Sequence, residues 1–157
     1  MTPALARPAL ISTGPHPTRP RPAPDRDDLN IELPAAFRAF HALHQPAYRD
    51  YAAAHTTAAA DDILREAFGT LAAHWSDTML RPDPNAYAWD LFASVVQART
   101  QRLRLPANSP LQYEIVVLHH LAGWAPRHIA DTTGRDPGKI RYLLRTWAQN
   151  EGTPPPR

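Results

Sequence analysis

A glycine between two short helical patterns constrains the last third of the chain more than any other feature. Gly134 stands where the first pattern stops, and only glycine adopts a left-handed conformation there at little cost. Asp136 then offers an N-cap oxygen, and Pro137 fits the first position of a second helix. The spacing predicts two short helices that meet at a tight turn over residues 126–145, which is the geometry of a helix-turn-helix.

The second helix of this pair is expected to have two different faces. Four apolar side chains recur at helical spacing and should pack inward, namely Ile140, Leu143, Leu144 and Trp147. The outer side would then carry a glycine, three cations and a phenol, which are Gly138, Lys139, Arg141, Tyr142 and Arg145. Such a face suits contacts with phosphates and base edges and favours DNA binding. The alternative is an ordinary helical hairpin with a solvated basic face, because short motifs also match by chance.

Composition limits the classes of protein that the chain can belong to. The 157 residues suffice for one domain or two small helical ones. The chain has no cysteine, which excludes disulfides and thiolate metal sites and fits a reducing cytosol. No apolar run approaches the length of a membrane span, and the N-terminus does not resemble a signal peptide. We therefore expect a cytoplasmic, nucleoid-associated protein with no membrane partner.

Charge is distributed unevenly along the chain. Residues 30–100 carry five arginines against eight carboxylates, whereas residues 101–157 carry eight cations against four carboxylates. A basic C-terminal part beside an acidic middle suggests two different partners, DNA for one and a basic protein surface for the other. The alternative is a chance scatter of a few charges.

Four helical patterns precede the helix-turn-helix, over about residues 34–55, 58–75, 83–102 and 109–123. Asp83 and Pro84 predict the start of the third helix. A capping box of Ser109 and Gln112 predicts the start of the fourth, which Gly123 closes. The apolar faces of the helices, including the last one, are expected to carry Leu43, Leu121 and the four tryptophans, which are Trp75, Trp89, Trp124 and Trp147.

These patterns predict an all-α fold of two small three-helix domains, because no strand pattern competes. The domains would span residues 34–104 and 110–150, and Pro106 and Pro110 mark a short linker at 105–109. Residues 1–33, rich in proline and arginine, and residues 151–157 are expected to be disordered tails.

Three segments together resemble a known family. They are Asp62-Ile-Leu-Arg65-Glu66-Ala-Phe68, Ala86-Tyr87-Ala88-Trp89, and the run from Leu118 through Ile140-Arg141. Their order and spacing resemble the extracytoplasmic-function sigma factors of bacterial RNA polymerase, in their actinobacterial style, over about residues 35–150. The first segment is similar to the family's Asp-x-x-Gln-Glu-x-Phe motif, with Arg65 where glutamine is usual. The third follows the family's promoter-binding domain without gaps.

The resemblance implies roles for particular residues. Asp62, Arg65 and Glu66 would contact core RNA polymerase, and the i, i+4 spacing of the two carboxylates puts both on one helix face. A solvated acidic face is the alternative. The last helix would lie in the major groove of promoter DNA, with Arg127 near phosphates. An inhibitor of anti-sigma type is a further implied partner, whereas no cofactor, metal or catalytic residue is expected.

Two departures from the family put promoter melting in doubt. Residues 91–98 of the third helix are nearly apolar where the family has polar and basic residues, and cations occur only at Arg99, Arg102 and Arg104. These three arginines are candidate DNA contacts. The linker is also unusually short. The second hypothesis is therefore a helix-turn-helix transcriptional regulator of sigma-like architecture that does not melt promoters.

Overall fold

The computed structural model describes residues 33–151, and every regular element in that range is helical. The predicted all-α fold is confirmed. None of these helices is both long enough and apolar enough to cross a membrane. Seven α-helices and one π-helical turn follow one another along the chain, namely α1 (Ala35–His55), α2 (Ala60–Ala73), α3 (Trp75–Met79), α4 (Pro84–Arg99), α5 (Pro110–Val116), the π-turn (Val117–Leu121), α6 (Pro126–Thr133) and α7 (Pro137–Glu151).

Side-chain caps start α4 and α5 where the sequence predicts them. The Asp83 carboxylate accepts a hydrogen bond from the Ala86 amide at 2.9 Å, and the Ser109 hydroxyl accepts one from the Gln112 amide at 3.1 Å. The second half of the predicted capping box differs. The Gln112 side chain accepts from the amide of Asn108 at 2.8 Å rather than from that of Ser109.

The second predicted helix is slightly shorter than expected, and an additional short helix, α3, follows it. It ends at Ala73, and His74 separates it from the short α3. The amide of His74 donates to the carbonyls of both Thr70 and Leu71 at 3.2 Å, a bifurcated pattern typical of a helix end. The third predicted helix ends at Arg99, three residues earlier than expected.

The fourth predicted helix continues from α5 into the π-turn, which the sequence did not indicate. The amide of Ala122 donates to the carbonyl of Val117 at 3.0 Å, an i to i+5 bond. Gly123 ends this helix in a left-handed conformation, as predicted, with φ 77°. Trp124 follows, half-buried, and its indole donates to the Asp50 carboxylate on α1 at 2.9 Å. The C-terminal end of this helix is thereby tied to α1.

The centre of the core is aromatic. Tyr48 of α1 stacks on Phe92 of α4 with ring centroids 4.4 Å apart, and Trp89 meets the Tyr48 ring edge-on at 5.2 Å. Trp75, Trp89 and Trp147 are buried, as predicted. The predicted inward placement of Leu43 and Leu121 is wrong, since these side chains are 72% and 54% exposed. In α1 the inward position next to Leu43 is taken by the neighbouring His44, which is buried.

Helices from both predicted domains share this core. Ile115, Leu118, Ile129 and Ile140 belong to the same buried cluster as Trp89, and all described residues fall in one compact unit. The linker segment around 103–107 has no regular secondary structure, and its half-buried Leu103 and Leu105 pack against the cluster. Division into two domains at 105–109 stays a prediction. The predicted tails lie outside the described residues, except Leu33 and Glu151.

Candidate nucleic-acid interface

The turn between α6 and α7 has the predicted geometry. Gly134 follows Thr133 with φ 63°, in the left-handed region. The amide of Arg135 then donates back to the carbonyl of Ala130 at 3.1 Å, which closes α6. Asp136 begins α7, because its carboxylate accepts from the amide of Lys139 at 2.9 Å. The two helices therefore meet as a helix-turn-helix requires.

The exposed side of α7 brings together five predicted residues. Ile140 and Trp147 are buried, and Leu143 and Leu144 are half-buried, so the inner face is as predicted. All five residues predicted for the outer face are exposed to solvent, namely Gly138, Lys139, Arg141, Tyr142 and Arg145. We call these five residues the α7 basic face. The Arg145 guanidinium lies 5.9 Å from the centre of the Tyr142 ring, so these two side chains form one surface.

The N-cap of α7 explains why position 138 favours a glycine. A Cβ there would lie 2.8 Å from the carboxylate oxygen of Asp136 that caps α7. Any larger residue would have to displace the cap. Arg127, the other predicted phosphate contact, is exposed in the first turn of α6.

A buried glutamine holds α7 from beneath. Gln112 of α5 donates from its side-chain amide to the carbonyl of Leu143 at 2.9 Å and to the hydroxyl of Thr146 at 3.1 Å. Gln112 is 1% exposed, so these bonds are shielded from water. The sequence indicated only a capping role for this residue. Its position fixes α7 so that the basic face points outward on a rigid support.

Polar contacts also hold the helix-turn-helix on α4. Arg135, just after the turn, lies 2.7 Å from the Asp90 carboxylate, and the Asn85 side chain donates to the carbonyl of Asp131 at 3.0 Å. Sequence reasoning missed these contacts, because nothing in the spacing of residues on α4 and α6 relates them. The orientation of α6 and α7 is thus set by α4 as well as by α5.

A carboxylate is buried in the core between α4 and α5. Glu114 is 6% exposed and accepts a hydrogen bond from the Trp89 indole at 2.8 Å. Burial raises the pKa of Glu114 above its ordinary value, and the Trp89 bond partly opposes this effect. The signal that could have revealed this residue is a lone acid inside the apolar run of residues 113–118.

A hydrogen-bonded chain fixes the segment that follows α4. The Tyr113 hydroxyl accepts from the amide of Leu103 at 2.9 Å and lies 2.7 Å from His55 Nε2. His55 Nδ1 faces the carbonyl of Tyr51 at 2.8 Å and must donate to it, so Nε2 of a neutral His55 accepts a hydrogen bond from the Tyr113 hydroxyl. Burial lowers the pKa of His55, and the hydrogen bond to Tyr51 partly opposes this effect. The lowered pKa favours the neutral imidazole that this arrangement needs.

Two of the other predicted DNA contacts, Arg99 and Arg102, have partners on α2 and α5. Arg99 pairs with Glu66 of α2 at 2.6 Å. The Arg102 guanidinium covers the Tyr113 ring of α5, 4.3 Å from its centre. Arg104 is exposed. Arg99 thus contacts α2 and Arg102 contacts α5, and neither of these two contacts involves α7.

The predicted polymerase contacts are exposed on α2. Arg65 lies 2.6 Å from Asp62 on the same helix, and Glu66 holds Arg99 at the same distance. The structure therefore brings together Glu66 and Arg99, for which the sequence predicted two different partners. Because these pairs are exposed, each is worth at most about 1 kcal/mol and can exchange with an external partner.

Residues 33–151 contain no group of three or more histidines, cysteines or carboxylates that could hold a metal ion. The features that remain are the tight turn between α6 and α7, the α7 basic face, and the exposed Asp62, Arg65 and Glu66 of α2. No family model, no curated protein and no solved structure matches the chain.

Proposed function

We propose that the protein is a sigma-factor-like transcription initiation protein, which binds promoter DNA through α6 and α7 and core RNA polymerase through α2. The observation that carries this proposal is the α7 basic face, where Lys139, Arg141 and Arg145 are exposed on a helix that follows a left-handed glycine turn. An α-helix fits the major groove of DNA, and arginine recognises guanine through two parallel hydrogen bonds.

The support beneath α7 favours specific binding. The bonds of Gln112 to Leu143 and Thr146 hold the helix in place before DNA arrives, so little ordering is needed on binding. Lys139, near the start of α7, is placed for a phosphate. Arg141 and Arg145 lie one helical turn apart, so both side chains can reach base edges in the same stretch of groove.

The DNA test begins with selection of bound duplexes from a random-sequence pool. Affinity for the selected duplex is then measured for Arg141→Ala, Arg145→Ala and Lys139→Ala. Arg38→Ala, an exposed arginine on α1, is the matched control. Loss of a base contact should weaken binding by about 1–3 kcal/mol, or about 5- to 150-fold. Lys139→Ala should weaken binding to all sequences alike and lower the salt slope by about 1.

The control should bind as tightly as the unchanged chain. Unchanged affinity in both arginine variants, with helical content intact, would contradict the assignment of α7 as the DNA-contacting helix.

Polymerase binding is tested by charge reversal on α2. Asp62→Lys combined with Glu66→Lys should abolish capture of bacterial core RNA polymerase, because both carboxylates would face a basic surface. Asp77→Lys together with Asp61→Lys is the matched control, with the same change in charge on neighbouring exposed sites. Equal capture by both double variants would exclude the Asp62–Glu66 surface as the polymerase contact.

A second candidate is a transcriptional regulator that binds DNA without separating its strands. The observation that favours it is the state of α4, whose Trp89, Phe92 and Val96 are buried and whose Asp90 pairs with Arg135. Side chains committed to packing are not available to capture an unpaired base. Permanganate footprinting of a selected promoter with polymerase present separates the two candidates, because only the first predicts reactive thymines.

A further inference from the structure

A groove of about 670 Å³ runs between α1 and α2. Its α1 wall is a stripe of residues four apart, a spacing that places them on one helix face. This stripe consists of Phe37, His41, Gln45 and Arg49, and Leu33, just before α1, extends it. The α2 wall is formed mainly by Asp61, Leu64, Arg65, Phe68, Gly69 and Ala72. We call this feature the α1–α2 groove. No residue of α6 or α7 lines it.

The base of the groove is apolar. Phe37, Leu64 and Phe68 are buried there, and the ring of His41 meets the ring of Phe68 edge-on at 4.4 Å. Gly69 leaves a gap in the α2 wall, because a Cβ at this position would meet nothing within 4 Å. Another chain can therefore approach α2 closely at Gly69 and cover the apolar base.

The rim of the groove is basic. Arg38, Arg49 and Arg65 line it against one carboxylate, Asp61. Arg49 pairs with Asp61 at 3.1 Å, and Arg65 turns to Asp62 at 2.6 Å. Both arginines are more than half exposed, so these pairs are weak and a carboxylate of a partner can replace either acid.

We propose that the α1–α2 groove binds an acidic amphipathic helix of a partner protein. The lining residues span about 18 Å of α1, from Phe37 to Arg49, and about 16 Å of α2, from Asp61 to Ala72, which matches a helix of roughly 11–12 residues. Apolar side chains at i, i+3, i+4 and i+7 would fill the base, and flanking carboxylates would meet the arginines. This proposal does not depend on DNA or polymerase binding.

The test uses the full chain and a helix-stapled, fluorescent peptide of about 12 residues, a length set by the groove. The peptide carries leucines at i, i+3, i+4 and i+7 between glutamates, and a twin carries lysines in place of the glutamates. Fluorescence anisotropy should show the acidic peptide binding at least about tenfold more tightly than its twin, with affinity falling as salt rises. Equal affinity of the two peptides, or no binding of either, would overturn the proposal.

Two variants of α2 locate the bound peptide. Gly69→Phe should weaken binding of the acidic peptide by about tenfold or more, because an added Cβ at position 69 has no atom of the described residues within 4 Å and a ring extending from it would occupy space that the peptide needs. Gly69→Ala should leave binding nearly unchanged, as should Ala73→Phe, which adds the same ring to an exposed position outside the groove. Undiminished binding by Gly69→Phe would place the peptide elsewhere and overturn the proposal. Binding of selected DNA by the same variants should not change.

Discussion

Gly134 lies against the backbone of Ala86, so closely that a Cβ at position 134 would stand 2.4 Å from the Ala86 amide nitrogen. The glycine also has a positive φ of 63°. Two independent requirements therefore meet at one residue. The turn of the helix-turn-helix needs a left-handed conformation, and the first turn of α4 needs room to pack against it.

The first prediction compares alanine at two glycines. Gly134→Ala should lower the free energy of unfolding by about 1–3 kcal/mol or more, because the new methyl group meets the Ala86 backbone and takes a strained φ. Gly69→Ala should raise it by about 0.5–1 kcal/mol, because position 69 is helical, exposed and open. Urea unfolding followed by circular dichroism measures both. Similar effects at the two sites would contradict the close contact at Gly134.

The second prediction concerns two buried phenols. The Tyr113 hydroxyl bonds to both Leu103 and His55, so Tyr113→Phe should cost about 1–3 kcal/mol by leaving those groups unpaired. The Tyr48 hydroxyl is buried and has no hydrogen-bond partner within residues 33–151, so Tyr48→Phe should be neutral or stabilising by up to about 1 kcal/mol. The same unfolding measurement checks both variants. A larger loss for Tyr48→Phe than for Tyr113→Phe would refute this account.

The third prediction uses pH and Glu114. Because burial raises its pKa above the ordinary 4.5, the folded state holds this proton more tightly than the unfolded chain. The resulting stabilisation is complete below pH 4.5 and is lost as the pH rises through the folded-state pKa. Relative to the unchanged chain, Glu114→Gln should gain stability across that window and then level off. A difference that does not vary with pH would show that Glu114 titrates alike in both states.

The fourth prediction concerns cooperativity. Trp89 of α4 and Trp147 of α7 lie in different predicted domains, but both are buried, and α4 packs against α6. The indole NMR signals of both tryptophans should therefore disappear at the same urea concentration. Two separate midpoints would instead support two domains divided at residues 105–109.

Local signals account for much of the fold. Pro84 after Asp83, Gly134 and Asp136 each predicted a helix boundary, because capping and left-handed turns depend on a few adjacent residues. The outward face of α7 was also predictable, since its period of 3.6 residues is uninterrupted. In α1 the same reasoning misplaced Leu43. Successive residues of a helix point about 100° apart, and the buried position belongs to His44 rather than to Leu43.

Contacts between distant parts of the chain were not predictable from one sequence. The bonds from Trp89 to Glu114 and from Asn85 to Asp131 depend on how helices cross, which spacing within a single helix does not determine. The pairing of Glu66 with Arg99 is of the same kind. It changes the interpretation of both residues, because each was assigned to an external partner and each already holds the other.

The π-turn at Val117–Leu121 is a place where the chain can lose one residue and keep its helix. Such a turn contains one residue more than an α-helical turn, so deleting one of its residues would restore an ordinary helix without breaking it. Because the wider π-turn absorbs the additional residue within one turn, the helical segments on either side of the deletion would keep their orientation. A single codon lost at this place would therefore leave α6 and α7 aimed as they are now, which makes the π-turn a site where this helix can change in length while the rest of the molecule keeps its packing.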